Sequence, residues 1–187
     1  QQHGFSGGKV AEPACGTGAF IAEAPDSAKI TGFETNPIAA RICDLLYPNA
    51  IIHNKPFETL FFVGNKPQNG NFYPRDFDLI IGNPPYGSFC GKYAGMGEKK
   101  ATGVQQYDQY FMVRSIDLLK PGGLLVFVIP DTTMDGKYPK FKNRMKETSD
   151  LLYWKRLPSG VFPRTSIGTD VLVWRKKDEA TEYRIAS

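Results

Sequence analysis

The segment Asn83-Pro84-Pro85-Tyr86-Gly87 places an amide, two prolines and an aromatic directly after the apolar run Phe77-Asp78-Leu79-Ile80-Ile81-Gly82. Proline removes a backbone donor and fixes φ, so Pro84 and Pro85 hold a stiff turn whose carbonyls stay out of the sheet ladder. Asn83 adds a side-chain carbonyl acceptor, and Tyr86 adds a flat apolar face with a polar tip. Two acceptors beside a stacking surface suit a planar group that carries an NH2. The lone pair of a base's exocyclic amine is delocalised into the ring, so its nitrogen is a poor nucleophile until both N–H bonds are held and it moves toward tetrahedral geometry. Asn83 Oδ1 and the Pro84 carbonyl supply such a pair of fixed dipoles. The same residues also make a proline-stiffened turn capped by Asn.

A second group of residues lies upstream. Lys9 to Glu12 reads as a short strand, and Pro13-Ala14-Cys15-Gly16-Thr17-Gly18 as a turn leading into a helix start. Gly16 and Gly18 let the backbone approach a ligand closely, and a helix N-terminus beyond them offers unpaired N–H groups. A dinucleotide fingerprint requires a small residue three places after Gly18, where the chain has Ile21, so that reading weakens. After a second strand, Lys29 to Phe33, Glu34 stands where an open α/β sheet puts an acid on a ribose diol. The alternative is an acid ahead of a helix beginning at Pro37.

The two segments together, Glu12-Pro13-Ala14-Cys15-Gly16-Thr17-Gly18-Ala19-Phe20 and Asn83-Pro84-Pro85-Tyr86-Gly87, resemble the S-adenosylmethionine-dependent amino-methyltransferases, above all the DNA adenine-N6 methyltransferases of the γ order. The resemblance continues through Tyr107-Asp108-Gln109-Tyr110-Phe111, through Leu118 to Pro130, and through Val161-Phe162-Pro163. It implies S-adenosylmethionine as cofactor, no metal, and double-stranded DNA as partner. It assigns Glu12 and Ala14 to the cofactor's amino-acid end, Gly16 and Gly18 to the turn beneath it, Glu34 to its ribose with Thr35 close by, and Phe57 to its adenine. The family often has an acid just before that phenylalanine, where this chain has Pro56, so the cofactor's amine needs another acceptor such as Glu58 or a backbone carbonyl. Asn83 and Pro84 become the acceptors of the target amine, and Tyr86 with Phe162 the sandwich around an extruded adenine. Phe162 also suits a role filling the gap between two end strands. Extrusion is required because the donor cannot reach N6 inside the stack. The cationic leaving group makes a covalent nucleophile unnecessary, and Asp108 reads as an N-terminal helix acid, not a base. Methylation of a protein glutamine amide, methylation of RNA, and a non-catalytic scaffold are the alternative readings.

The elements that position these residues alternate strand and helix, the pattern of a mostly parallel sheet covered on both faces. We expect a Rossmann-like α/β fold with seven strands, near Val10–Glu12, Ile30–Phe33, Ala50–Ile52, Asp78–Ile81, Leu124–Ile129, Leu152–Leu157 and Asp170–Trp174. Helices are expected over Thr17–Glu23, Pro37–Leu46, Tyr107–Leu119 and Lys140–Glu147. The link from Pro158 to Thr169 is too short for a crossover helix, so the last strand should run antiparallel. Residues Gly87 to Gly103, rich in glycine and carrying Lys92, Lys99 and Lys100, read as a mobile basic loop for phosphates, or equally as a solvated excursion.

Composition bounds the rest. With 187 residues, 41% hydrophobic and 22% charged, the chain suits one globular domain over residues 1–187. No apolar run has the length of a membrane span, and three scattered cysteines give neither a zinc pattern nor a disulfide framework, which fits the cytoplasm. A net charge of +4 permits a polyanionic partner without requiring one. The resemblance places the family's N-terminal cofactor segment and its target-recognition domain, or a specificity subunit, outside residues 1–187.

Overall fold

The computed structural model describes residues 4–64, 66, 67, 74–158, 160 and 167–178. The sheet strands are β1 (Gly8–Glu12), β2 (Ala28–Phe33), β3 (Ile51–His53), β4 (Phe77–Gly82), β5 (Leu119–Pro130), β6 (Ser149–Arg156) and β7 (Thr169–Lys176). They lie in the order β3-β2-β1-β4-β5-β7-β6. All pairings from β3 across to β5 are parallel, while β7 is antiparallel to both β5 and β6. The last two strands of the chain, β6 and β7, therefore pair antiparallel, as expected. Chain order reverses between β1 and β4, the switch point at which open α/β sheets bind ligands beyond their carboxyl ends. Both glycine-rich and proline-rich turns leave the sheet there.

The three longer helices are α1 (Pro37–Leu46), α2 (Tyr107–Leu118) and α3 (Pro139–Thr148). Proline at the first turn and Asn36 Oδ1 accepting from Ile38 N and Ala39 N start α1. Buried Ala11, Phe33, Ile80, Leu125, Phe127 and Leu172 give one face of the sheet a core shared with Met112 and Ile116 of α2 and Phe141 and Met145 of α3. The other face carries Val10, Leu79, Leu124 and Val173. Among the described residues no helix covers its centre, and an apolar cavity of about 460 Å³ lies over it.

Two expected elements differ. The helix expected over Thr17–Glu23 is a single 3-10 turn, Ile21–Glu23. Gly18 sits at φ +92° and Pro25 forces Ala24 into extended backbone, which leaves too few residues between them for an α-helix. The glycine-rich 87–106 segment is folded, with a π-helical turn over Ala94–Glu98 followed by an α turn over Lys99–Thr102. Its ends are pinned together by Tyr107 N to Gly87 O at 2.8 Å and Phe89 N to Gln105 O at 2.8 Å.

Inside this segment Glu98 points inward, 1% exposed, and accepts from Arg114 Nε at 2.7 Å, Arg114 Nη2 at 2.5 Å and the Tyr110 hydroxyl at 3.0 Å. Arg114 also bonds Asp117 at 2.9 Å and lies 4.7 Å from the centre of the Phe61 ring. Tyr93, Ala94 and Met96 pack on the core beside it. A buried, hydrogen-bonded ion pair thus fixes a stretch whose composition alone suggests mobility.

Candidate active site

The turn after β1 begins with Cys15 N bonded to Phe33 O at 2.9 Å and Gly18 N to Cys15 O at 2.8 Å. Its two glycines do different jobs. At Gly18 a Cβ would meet the Tyr47 ring at 2.4 Å and Cys43 Sγ at 2.9 Å, so the turn packs directly on the end of α1. At Gly16, φ +53°, a Cβ would meet nothing within 4 Å and the residue borders a cleft. Gly18→Ala should therefore lower stability by about 1–3 kcal/mol, as overpacking does, with the loss read from urea unfolding. Gly16→Ala meets no clash but keeps the strain of a left-handed φ, so it should cost about 1 kcal/mol of stability while weakening binding of whatever ligand fills the cleft, as urea unfolding and calorimetry would show.

The cleft, of about 610 Å³, opens at the carboxyl ends of β1, β2 and β4. Clefts of this size hold drug-sized molecules. Of the residues singled out in the sequence, Ala14, Gly16, Glu34, Thr35, Phe57 and Asn83 all line it. Glu34 is oriented from the backbone: Oε2 accepts from Gly16 N at 2.9 Å and Oε1 from Asn36 N at 2.7 Å. It is thus tied to both the glycine turn and the cap of α1, with lone pairs to spare. Phe57 is 1% exposed and packs against Phe33, Phe61 and Phe111 with ring centroids 5.0–5.9 Å apart. It therefore belongs to the core while bordering the cleft.

Glu12 and Gly18 are not part of this lining. Glu12 shares the face of Val10, is 2% exposed, and borders the apolar cavity on that side. Its Oε2 has no hydrogen-bond partner among the described residues, and burial pushes its carboxyl up from 4.5 to about 8. The folded protein therefore holds a proton here that the unfolded chain releases near pH 4.5, and stability must fall as pH rises from about 4.5 to about 8. Glu12→Gln should lose less stability than the native protein between pH 5 and pH 8, measured as urea midpoints in the absence of ligand.

Asn83 and Pro85 are exposed at the end of β4 and line the cleft, while Pro84 is buried. The half-buried Tyr86 folds back beside them. Its hydroxyl donates to Asn83 Oδ1 at 2.5 Å and lies 3.4 Å from Val128 O. Burial, with the Asp108 carboxylate adding to it, pushes this phenol up to about 12, so it remains a donor at neutral pH. Phe162, together with the rest of 161–166, falls outside the described residues.

Three residues not assigned a firm role from sequence line the same cleft: Glu58, Lys92 and Tyr93. Glu58 is 7% exposed, and its carboxyl is raised chiefly by burial. Lys92 lies 5.6 Å from the centre of the Tyr93 ring. The sequence signal for these was the acid displaced to the far side of Phe57 and the Lys92-Tyr93 pair inside the glycine-rich stretch. Asp108 is the acid of the first turn of α2, as read from the sequence, and is in addition 2% exposed, accepting from Thr133 Oγ1 at 2.6 Å. That bond ties the start of α2 to the turn after β5. Among the described residues no group of three or more His, Cys, Asp or Glu side chains could hold a metal ion, and no helix is long and apolar enough to cross a membrane.

Comparison with known proteins places this geometry. The chain is 30% identical over 178 residues to the defense against restriction protein B of Escherichia phage P1, a match that covers 93% of this chain and 7% of the phage protein. It is 29% identical to the methylase subunit of the type I restriction enzyme EcoEI of Escherichia coli, covering 94% of this chain and 39% of the subunit. Among solved structures, it superposes on the type I restriction-modification methyltransferase subunit of Streptococcus thermophilus with a TM-score of 0.74 at 19% identity, over 95% of this chain and 42% of that one. A Listeria monocytogenes protein described as a class I S-adenosylmethionine-dependent methyltransferase superposes with a TM-score of 0.70 at 17% identity, over 92% of this chain and 55% of that one. The fold is the class I S-adenosylmethionine-dependent methyltransferase fold, and the chain spans well under half of the curated relatives named. The family model of the Eco57I restriction-modification methylase matches residues 46–162, more than half the sequence, and the chain belongs to that family.

Proposed function

We propose that this chain is a catalytic domain that transfers a methyl group from S-adenosylmethionine to N6 of an adenine extruded from DNA. The observation that carries the reading is the convergence on one cleft of an exposed amide acceptor at the end of β4, Asn83, with a carboxylate oriented by backbone at the end of β2, Glu34. Relatives named as restriction-modification methylases support the same reading. Selection of a DNA sequence falls to a specificity domain or subunit outside residues 1–187.

The residues present fit the cofactor. Gly16 leaves a cradle that any Cβ would narrow, and Glu34 offers acceptors for two ribose hydroxyls, with Thr35 alongside. Glu58, buried beside Phe57, stands in for the acid that Pro56 replaces, as acceptor for the adenine amine. The resemblance assigns Glu12 to the ammonium of the methionine end; here it borders the neighbouring apolar cavity, so that contact requires its side chain to turn toward the cleft and give up its proton. When bound, S-adenosylmethionine supplies an electrophilic methyl on a cationic sulfur. The chain's own work is then positioning, which provides much of the acceleration when reactants are held in attack geometry. Asn83 Oδ1 and the Pro84 carbonyl hold the target amine, and the Tyr86 ring, with Phe162, recovers part of the unstacking energy.

The direct test is incubation of the protein with methyl-tritiated cofactor and duplex DNA, RNA or protein extract, followed by nucleoside digestion. Label in N6-methyl-2′-deoxyadenosine from DNA is the expected result; label confined to RNA or protein would overturn it. Tyr86→Ala should weaken capture of an extruded base about 5- to 100-fold, the range for one lost stacking partner, read from 2-aminopurine fluorescence at the target position.

A further inference from the structure

The folded 87–106 segment carries three lysines, and its single acid, Glu98, is turned inward onto Arg114. Lys92 stays at the cleft beside Tyr93, whereas Lys99 and Lys100 stand exposed on the α turn. That turn ends at Gly103, whose N–H bonds Lys99 O at 3.0 Å. A Cβ on Gly103 would touch Lys140 Cβ at 3.7 Å and Cδ at 3.8 Å, so an exposed lysine of α3 lies against the same turn. No described carboxylate pairs with any of these three lysines. Elsewhere on the surface Lys120 pairs with Asp78, Arg156 with Asp135 and Asp170, and Arg144 with Asp117.

We infer that Lys99, Lys100 and Lys140 form a rigid cationic ledge that binds the phosphate backbone of duplex DNA beside the reactive turn. Position and stiffness both favour this. The segment that carries Lys99 and Lys100 begins one residue after Tyr86 and closes with a hydrogen bond at Gly87, so the support of the ledge is anchored at the turn that takes up the target base. The buried Glu98–Arg114 pair and the contacts of Met96 and Tyr93 fix it from beneath. Three ammonium groups held on a folded support lose little further backbone freedom when they meet phosphates, and binding releases condensed counterions from the DNA. A polyanion is the partner this chemistry recognises, and the inference rests on the proposed methylation of DNA for its choice of duplex DNA over duplex RNA.

The test is fluorescence anisotropy of a labelled DNA duplex titrated with the protein at several salt concentrations. For the variant K99Q/K100Q/K140Q the slope of log K against log salt should become shallower by about 2–3, near the value for three lost phosphate contacts, with affinity in 0.1 M salt lower by about tenfold or more. The charge-preserving variant K99R/K100R/K140R should keep the native slope, and cofactor affinity should be unchanged in both, showing an intact fold. A native slope in the glutamine variant overturns the ledge, even where labelled methyl still reaches DNA. Tighter binding of a matched RNA duplex, with the same three-lysine dependence, overturns DNA as the partner. Absence of both binding and methyl transfer to DNA counts against the proposed function itself.

Discussion

Asn83→Ala is expected to slow methyl transfer to DNA by about 100- to 1000-fold while changing the dissociation constant of the cofactor by less than about threefold. The magnitude is that of removing one fixed dipole aimed at developing charge. The methylated amine becomes cationic in the transition state, and its N–H bonds then press more strongly on their acceptors than in the ground state. An interaction that strengthens along the reaction coordinate lowers kcat when it is removed, and leaves ground-state affinity nearly intact. Cofactor binding should survive because the backbone-oriented Glu34 and the open Gly16 turn lie on other strands. Asn83→Asp separates the acceptor role from mere packing. A carboxylate accepts but cannot donate, so this variant should retain more activity than alanine does. Single-turnover transfer of tritium, beside calorimetric cofactor titration, measures both quantities. Turnover by Asn83→Ala at the native rate would remove Asn83 from the chemistry.

The contact between the Tyr86 hydroxyl and Asn83 Oδ1 bears on this experiment. An exposed carboxamide has two nearly isosteric ends, and only the oxygen end can accept from an amine. Here the Tyr86 hydroxyl bonds that oxygen, which holds the carboxamide in place and leaves the oxygen a second lone pair. The site is thus ordered before any target arrives.

Much of this site is legible in the sequence, because its positions follow from local rules. The apolar run of β4 ends where Pro84 and Pro85 forbid further ladder hydrogen bonds. Glu34 lies at the end of β2 with Asn36 and Pro37 announcing the helix after it, and the short link before β7 dictates an antiparallel partner. What the sequence conceals is long-range pairing. Glu98 and Arg114 look like ordinary surface charges, yet they meet in the interior and convert a glycine-rich stretch into a folded wall of the cleft. The spacing of Tyr93 and Met96, three apart within the glycines, was the local hint of a helical turn. Asp108 is legible as a first-turn acid of α2, but its burial is not: Thr133, from the turn after β5, covers it and donates to it. The abbreviated turn after Gly18 follows from the left-handed backbone of that glycine and from Pro25; that only glycine fits there, against Tyr47 and Cys43, depends on neighbours remote in sequence.

Arg114→Met should destabilise the protein by about 3–5 kcal/mol, the range for leaving a buried charge without its partner. Glu98 would keep only the Tyr110 hydroxyl, in a site that is 1% exposed. For a domain of this size such a loss lowers the melting temperature by on the order of 10 °C. The double variant Glu98→Gln with Arg114→Met should be much less destabilised than the single one. It removes the orphaned charge, and the glutamine carbonyl can still accept from Tyr110. A double-mutant cycle by urea unfolding, completed with Glu98→Gln alone, gives the coupling between the two residues. Strict additivity would mean that the pair does not act as a unit. A strong coupling would also predict a functional loss with no catalytic residue touched. Lys92 and Tyr93 line the cleft only while the 87–106 segment is held down on Phe61 and α2, so Arg114→Met should weaken cofactor binding even at temperatures where the protein remains folded.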